Sequence, residues 1–254
     1  MYNEIIKTIE STISDYESGY NTWKKPIIEI ISANNDKLKT LKNSVSIDHL
    51  KPSDILPDAK SIICFFIPYN EDIIKSNMDG EMASREWALT YRKTNKLIKL
   101  INEDIETLME ANGYKTGKIP ATHNFDKEKL ISNWSHRHIA FITGIGTFGY
   151  NNMLITKNGC CGRLGSIITS YEFDEYNKIE KVKEKCLYKL NGSCGVCRKR
   201  CVTNAFKNNE YNRFKCYEQC LKNAEYHKDI GYTDVCGKCM TGLPCSTSEP
   251  KEKL

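Results

Sequence analysis

Cys194-Gly-Val-Cys197-Arg-Lys-Arg-Cys201 is the stretch on which the reading of this 254-residue chain turns. Cys216, Cys220, Cys236-Gly-Lys-Cys239 and Cys245 follow it, and Cys186 precedes it. Nine of the twelve cysteines therefore lie in the last third of the chain, spaced as metal-binding thiolates are spaced. Other uses of so many cysteines fit less well. Disulfides require an oxidising compartment, and the opening MYNEIIKTIESTISDYESGY has neither the basic start and apolar stretch of an export signal nor paired arginines. Structural zinc usually shows two C-x2-C pairs 15–20 residues apart. Here the pairs at 194/197 and 236/239 are much further apart, and Cys201, Cys216 and Cys245 are left over.

Iron–sulfur clusters suit the count. A bacterial ferredoxin run is C-x2-C-x2-C-x3-C-P, whose fourth cysteine ligates the other cluster. The last two intervals are intact at 194–201; Asn191 stands where the first cysteine belongs, and Cys186 lies five residues further back. Two [4Fe–4S] clusters use eight of the nine cysteines. The interleaved topology gives Cys201, Cys216, Cys236 and Cys239 to one cluster and Cys194, Cys197 and Cys245 to the other. Cys186 is the remaining ligand of the second set, and Cys220 is a spare or an alternative. A single cluster, a three-cysteine site and zinc are the competing readings.

The rest of the chain reads as a layered α/β (α+β) domain over 1–180, with the ferredoxin-like module over 181–254. Ile5, Ile6, Ile9 and Ile13 recur at helical spacing. Ser61-Ile-Ile-Cys-Phe-Phe-Ile67 reads as a buried strand and Arg85 to Ala111 as a long helix ending near Gly113. A second helix is expected from Asp126, as N-cap, towards Phe141. Met153–Thr156 and Leu164–Thr169 are expected to form a hairpin around Lys157-Asn-Gly159. Cys64 and the Cys160–Cys161 pair read as core thiols, with a redox or substrate-facing role as the alternative for the pair. In Trp134-Ser-His136-Arg-His138, His136 and His138 fall on different faces of their helix and are poor partners for one metal; ordinary packing and hydrogen bonding is the first reading, and contact with a cofactor or substrate is the alternative.

No apolar run approaches the length of a membrane span, so neither export nor membrane insertion is expected and the cytoplasm is the expected location. The formal charge is +5. Lys181, Lys183, Lys185, Lys189, Arg198, Lys199 and Arg200 crowd the cysteines, suiting compensation of thiolate clusters or docking of an acidic electron donor better than nucleic acid. Gly144, Gly146 and Gly149 match G-x-G-x-x-G, but a dinucleotide loop follows a strand and opens a helix. This one follows a helical stretch and leads into a strand.

Thr143-Gly-Ile-Gly-Thr-Phe-Gly-Tyr-Asn-Asn-Met-Leu-Ile-Thr156 resembles the A-G-L-G-x-x-G-x-N-x-L-L-I segment of epoxyqueuosine reductases and reductive dehalogenases. Leu56-Pro-Asp-Ala-Lys-Ser-Ile-Ile63 is similar to their LPGA-x-S-V-I segment, and Cys201-Val-Thr-Asn-Ala205 stands where C-P-T-G-A is usual. The likeness covers about residues 50–245. It implies an iron–sulfur oxidoreductase passing electrons from a low-potential donor such as ferredoxin or flavodoxin, through two [4Fe–4S] clusters, to a cobalamin-type corrinoid. A small-molecule or corrinoid substrate would be reduced there. Gly144, Gly146, Gly149 and Asn151 map onto the corrin-contacting loop. Ala121-Thr-His123-Asn-Phe-Asp126 replaces an acidic D-T-x-P segment, so His123 and Asp126 become the proton-donor candidates, and Tyr150 is another. The helical repeats that normally follow the clusters have no counterpart after Cys245, which makes tRNA an unexpected substrate. The rival reading is a non-catalytic electron carrier or reductive activator of a partner corrinoid protein.

Overall fold

The computed structural model describes residues 1–251 except 18, 20, 175, 177–182 and 208–209. The expected boundary at 180/181 and Lys181 therefore lie outside the described residues. At the centre is a four-stranded sheet built from β1 (Ile27–Ser32), β2 (Ser61–Pro68), β3 (Thr116–Lys118) and, last in the chain, β8 (Gly162–Thr169). Its order is β1-β2-β8-β3, and every neighbouring pair is antiparallel. β2 is buried along its whole length, as its unbroken apolar sequence requires of a strand covered on both faces. Even residues Ile62, Cys64 and Phe66 pack to one side and odd residues Ile63, Phe65 and Ile67 to the other. Burial pushes the Cys64 thiol up to about 12, so it is an inert core residue.

The helix Tyr2–Tyr16 and the helix Arg85–Ala111 cover the odd face. Ile5, Ile9 and Ile13 meet Leu97, Ile98, Ile101 and Ile105 there, and Ser84 caps the long helix by accepting from the Trp87 N–H. Its end is as expected: Gly113 takes φ +79, where the bare backbone turns the chain without strain.

Two expectations fail for local reasons. Asp126 does not start a helix. Its carboxylate accepts from the Glu128 and Lys129 N–H groups, closing a side-chain turn between β4 (Phe125–Asp126) and β5 (Ile131–Ser132). The helix proper is shorter, His136–Ile142, and covers the even face of the sheet. Nor do the strands flanking Gly159 form a hairpin. β7 (Leu154–Thr156) pairs instead with β6 (Gly146–Phe148), while β8 joins β2 and β3. The chain is diverted at Cys160 and Cys161, whose N–H groups bond to the carbonyls of Cys245 and Ser246.

Gly146 makes the β6–β7 pairing possible: a Cβ there would stand 2.3 Å from the Ile155 carbonyl oxygen. Gly146→Ala is expected to cost about 1–3 kcal/mol. Thermal melting should show a loss of roughly 2–4 °C per kcal/mol, and an unchanged melt would dismiss this account of the glycine.

Beyond residue 183 the chain runs through short helices at Leu187–Asn191 and Val196–Lys199 and a longer one at Arg213–Tyr226. This segment does not stand apart from the sheet: Cys186, Cys197 and Leu243 belong to the same apolar core as the two covering helices. Among the described residues no helix is long and apolar enough to cross a membrane.

Candidate functional site: two cysteine rings and an aromatic cavity

The cysteines separate in space into two sets. Cys186, Cys194, Cys197 and Cys245 line a narrow cavity of about 20 Å³ whose other walls include Ile155, Leu187 and Leu243. Burial pushes the Cys197 thiol up to about 11, and Cys245, Cys186 and Cys194 lie near enough to add to the shift. Cys201, Cys216, Cys236 and Cys239, together with Cys220, line a second cavity of about 390 Å³. Cys216 is held down to about 6, chiefly by a hydrogen bond from Cys220 and also by Tyr211 and the Arg137 guanidinium, against the opposing effect of burial. Burial pushes Cys236 up to about 11.

Among the described residues no three His, Cys, Asp or Glu side chains converge on a point that one metal ion could occupy. The cysteines border two separate cavities instead. Asn191 plays no part in the first ring; its side chain accepts from the Ser193 N–H in the turn that follows the 187–191 helix. Cys186 lines the first cavity, and Cys220, one turn after Cys216, lines the second.

A third cavity, of about 280 Å³, lies against the central sheet. Phe66, Tyr69, Trp87, Tyr91 and Trp134 form its aromatic walls, and His136 and Cys160 also border it. Tyr91, Arg137, Met153 and Arg163 line both this cavity and the second cysteine ring, so the two spaces adjoin. Buried side-chain atoms without hydrogen-bond partners include Trp87 Nε1 and Arg163 Nε, both on residues of this wall.

At its rim Tyr91 Oη donates to Asp234 at 2.7 Å, and the same carboxylate meets His123 Nε2 at 3.1 Å. Asp234 is almost wholly buried, whereas His123 is half exposed and lies against the Tyr232 ring. Burial raises the Tyr91 hydroxyl, with the Arg163 guanidinium pulling the other way. His123 thus connects solvent to the cavity wall through a buried acid.

The other residues singled out by sequence are placed as follows. Gly149, Tyr150 and Asn151 line the narrow cavity at the first cysteine ring rather than the aromatic cavity. Asn151 also ties the two rings together, donating from Nδ2 to the Cys239 carbonyl. Tyr150 stacks on Tyr188 at 3.6 Å, and the Arg198 guanidinium sits over its other face, 3.3 Å from the centroid. Gly144 takes φ +83 at the end of the 136–142 helix, and Gly146 lies within β6. Asp126 is exposed in its turn, where the Lys129 and Glu128 N–H groups hold its carboxyl below the usual range. Tyr91, Arg137, Arg163 and Asp234 escaped the sequence reading, because each comes from a different element and none lies in a motif. Several of the basic residues near the cysteines have internal partners: Lys185 pairs with Glu249, Lys189 donates to the Phe148 carbonyl and Arg200 to that of Met78.

Comparison with solved structures gives the architecture its setting. An epoxyqueuosine reductase from Bacillus subtilis, with an aspartate-bearing catalytic loop swung out of its active site, aligns over 98% of this chain and 68% of its own, at 20% identity and TM-score 0.54. This chain has the fold of the epoxyqueuosine reductases. A second such enzyme, solved with an epoxyqueuosine-modified tRNA-Tyr stem loop, aligns over 98% of this chain and 68% of its own, at 20% identity and TM-score 0.53. A catabolic reductive dehalogenase, in complex with 3-bromo-4-hydroxybenzoic acid, aligns over 89% of this chain but only 30% of its own, at 13% identity and TM-score 0.59. No family model and no curated protein matches the sequence.

Proposed function

We propose that this chain is an iron–sulfur reductase with two [4Fe–4S] clusters that feed electrons to a substrate held in the aromatic cavity. The observation that carries the reading is the grouping of the cysteines. Cys186, Cys194, Cys197 and Cys245 line one cavity, and Cys201, Cys216, Cys236 and Cys239 line another. The second space adjoins the aromatic one. The first ring would accept electrons from a low-potential donor such as ferredoxin or flavodoxin, and the second would pass them inward. A carrier or activator needs no such internal space, so the cavity favours an enzyme.

A corrinoid is the group we infer for that space. When bound, it supplies a cobalt centre able to reduce carbon–oxygen or carbon–halogen bonds. The support is that the two cavities adjoin, that Trp87, Tyr91 and Trp134 give flat aromatic walls, and that Arg163 Nε lacks a partner there. Trp87 and Trp134 would help hold the macrocycle, while Tyr91 would supply a proton, kept on its oxygen by burial and replaced from solvent through Asp234 and His123. Titrating anaerobically purified protein with cobalamin tests the corrinoid: a shifted absorption spectrum with saturable binding is expected, and no binding in either oxidation state would remove it.

Tyr91→Phe should leave the iron content intact and slow turnover by about 10²–10⁴-fold, the usual worth of a positioned general acid. The measurement is dye-driven reduction of an epoxide or aryl halide probe. An unchanged rate would pass the proton role to another group. Tyr150→Phe, at the other cavity, should leave the rate within about 2-fold under the same general-acid argument.

A further inference from the structure

We infer that the buried side chain of Lys238 holds the second cysteine ring at a higher reduction potential than the first, and so drives electrons from one ring to the other. The inference rests on the reading of both rings as cluster sites and names the residue that sets the direction of flow between them.

A lysine is almost never fully buried unless its charge is met. Lys238 is 1% exposed, stands between Cys236 and Cys239, and lines the same cavity as Cys201, Cys216 and those two. The local fold fixes it there. Gly237 takes φ +76 against the Trp87 indole, where a Cβ would stand 2.4 Å from the ring. Lys238 Nζ donates to the Asn77 carbonyl at 3.1 Å and to the Asp79 carbonyl at 2.7 Å. Asn77, itself fully buried, donates from Nδ2 to the Cys236 carbonyl at 3.0 Å, which laces this loop to the ring.

The two carbonyls position the ammonium but carry no charge to meet it. The charged groups around it are the Cys236 thiolate, the exposed Asp79 carboxylate and the Arg200 guanidinium, and the last two oppose each other. What meets the lysine is the ring itself. Net charge and hydrogen bonds to sulfur set the potential of an iron–sulfur site. Reduction adds one electron and changes no bond or proton, so a fixed cation beside the site favours the reduced form.

The two rings differ in this respect. Lys238, Arg137 and Arg163 border the second cavity against Asp234 alone, whereas among the described residues no charged side chain lines the first. In the second ring the Ala205 N–H donates to Cys201 Sγ at 3.3 Å. In the first, the Cys186 N–H donates at 2.9 Å to the Glu184 carboxylate, which Lys189 approaches only to 4.0 Å. Both contrasts place the second ring higher.

An anaerobic redox titration followed by EPR tests this. Two one-electron waves are expected, and Cys197→Ala, which empties the first ring, should keep only the higher. Lys238→Met and Lys238→Gln should each weaken reduction at that wave by about 10-fold, which is about 59 mV for one electron. The lower wave and the iron content should not change. Lys238→Gln retains a hydrogen-bond donor, so equal shifts in the two variants identify the charge as the cause. Thr241→Val removes the Thr241 Oγ1 donor, 3.0 Å from the same Asn77 carbonyl, without touching a charge. It should lower the melting temperature and move neither wave.

Fully loaded Lys238 variants with an unmoved higher wave would overturn the inference, and so would equal shifts of both waves. A higher wave that survives in Cys239→Ala and vanishes in Cys197→Ala would overturn it as well, even if the Lys238 variants failed to load. Protein that binds no iron when reconstituted would fail the cluster reading, whereas full iron with an unmoved wave would fail the role of Lys238 alone.

Discussion

Cys197→Ala is expected to halve the iron and sulfide of the anaerobically purified protein, from about eight of each per chain to about four. The same loss is expected from Cys194→Ala and Cys245→Ala, since all three line one cavity. Cys201→Ala, Cys236→Ala and Cys239→Ala should remove the other half, because those residues line the second. Double variants sort the eight cysteines decisively. Cys197→Ala with Cys245→Ala should do no more harm than either alone, whereas Cys197→Ala with Cys239→Ala should strip all the iron. A loss that does not follow these sets would break the assignment of ligands to rings.

Two members need separate treatment. Cys186→Ala should give the losses of the first set or leave a three-iron signal by EPR; a full complement with an unchanged four-iron signal would expel Cys186 from the ring. Cys220→Ala should keep all the iron. Cys216 and Cys220 are hydrogen-bonded neighbours on one helix face, so Cys216→Ala is the variant in which a substitute thiol stands closest to the vacancy.

The cysteine sets were legible in the sequence because interleaved ligation is a rule about order along the chain, and order is what a sequence displays. For the same reason β2 and the 85–111 helix were legible: an unbroken apolar run and a 3.6-residue period are local signals. The failures share a different cause. Asp126 looks identical as a helix cap and as the pivot of a side-chain turn, because in both it accepts from N–H groups two or three residues on. β7 and β8 look like a hairpin until the chain between them is claimed by Cys245 and Ser246, some 85 residues away, which no local pattern reports. β1, Ile27–Ser32, escaped notice although its Ile-Ile-Glu-Ile-Ile run is strand-like, being short and close to Pro26.

The aromatic cavity was the least legible feature. Its chemistry comes from Tyr91 in the long helix, Arg137 at the start of a short one, Arg163 in a strand and Asp234 in a loop between cysteines. Only the folded sheet brings them together. The glycine segment shows the converse. It was conspicuous as a motif, yet Gly146 is explained by its contact with Ile155 and Gly149 borders the first cysteine ring. A conspicuous string can therefore mark a packing constraint.

Acid should destabilise the fold through His136, and the effect is large enough to measure. The imidazole is buried against the cavity wall, with Nε2 3.1 Å from the Pro120 carbonyl and Nδ1 2.9 Å from Ser166 Oγ. A carbonyl can only accept, so Nε2 carries the proton and Nδ1 accepts from the serine hydroxyl. Trp134 Nε1 in turn donates to Ser166 Oγ at 3.1 Å, leaving that oxygen's own hydrogen free for the histidine. The neutral ring is thus fully satisfied, and burial, the largest cause, brings its pKa down from 6.5 to about 4.

The unfolded chain then binds a proton at a higher pH than the folded one does. Stability from this group is complete above about pH 6.5 and is lost as the pH falls toward about 4, amounting to roughly 3 kcal/mol over the whole window. Between pH 7 and pH 5 the loss is about 2 kcal/mol, or roughly 4–8 °C in melting temperature for a chain of this size. His136→Gln cannot titrate, so although it is less stable at neutral pH, its melting temperature should fall less from pH 7 to pH 5 than that of the unaltered protein. Parallel falls in the two proteins would show that His136 is not a source of the acid sensitivity. That result would also reopen which nitrogen carries its proton and whether the cavity wall is as dry as this hydrogen-bond chain requires.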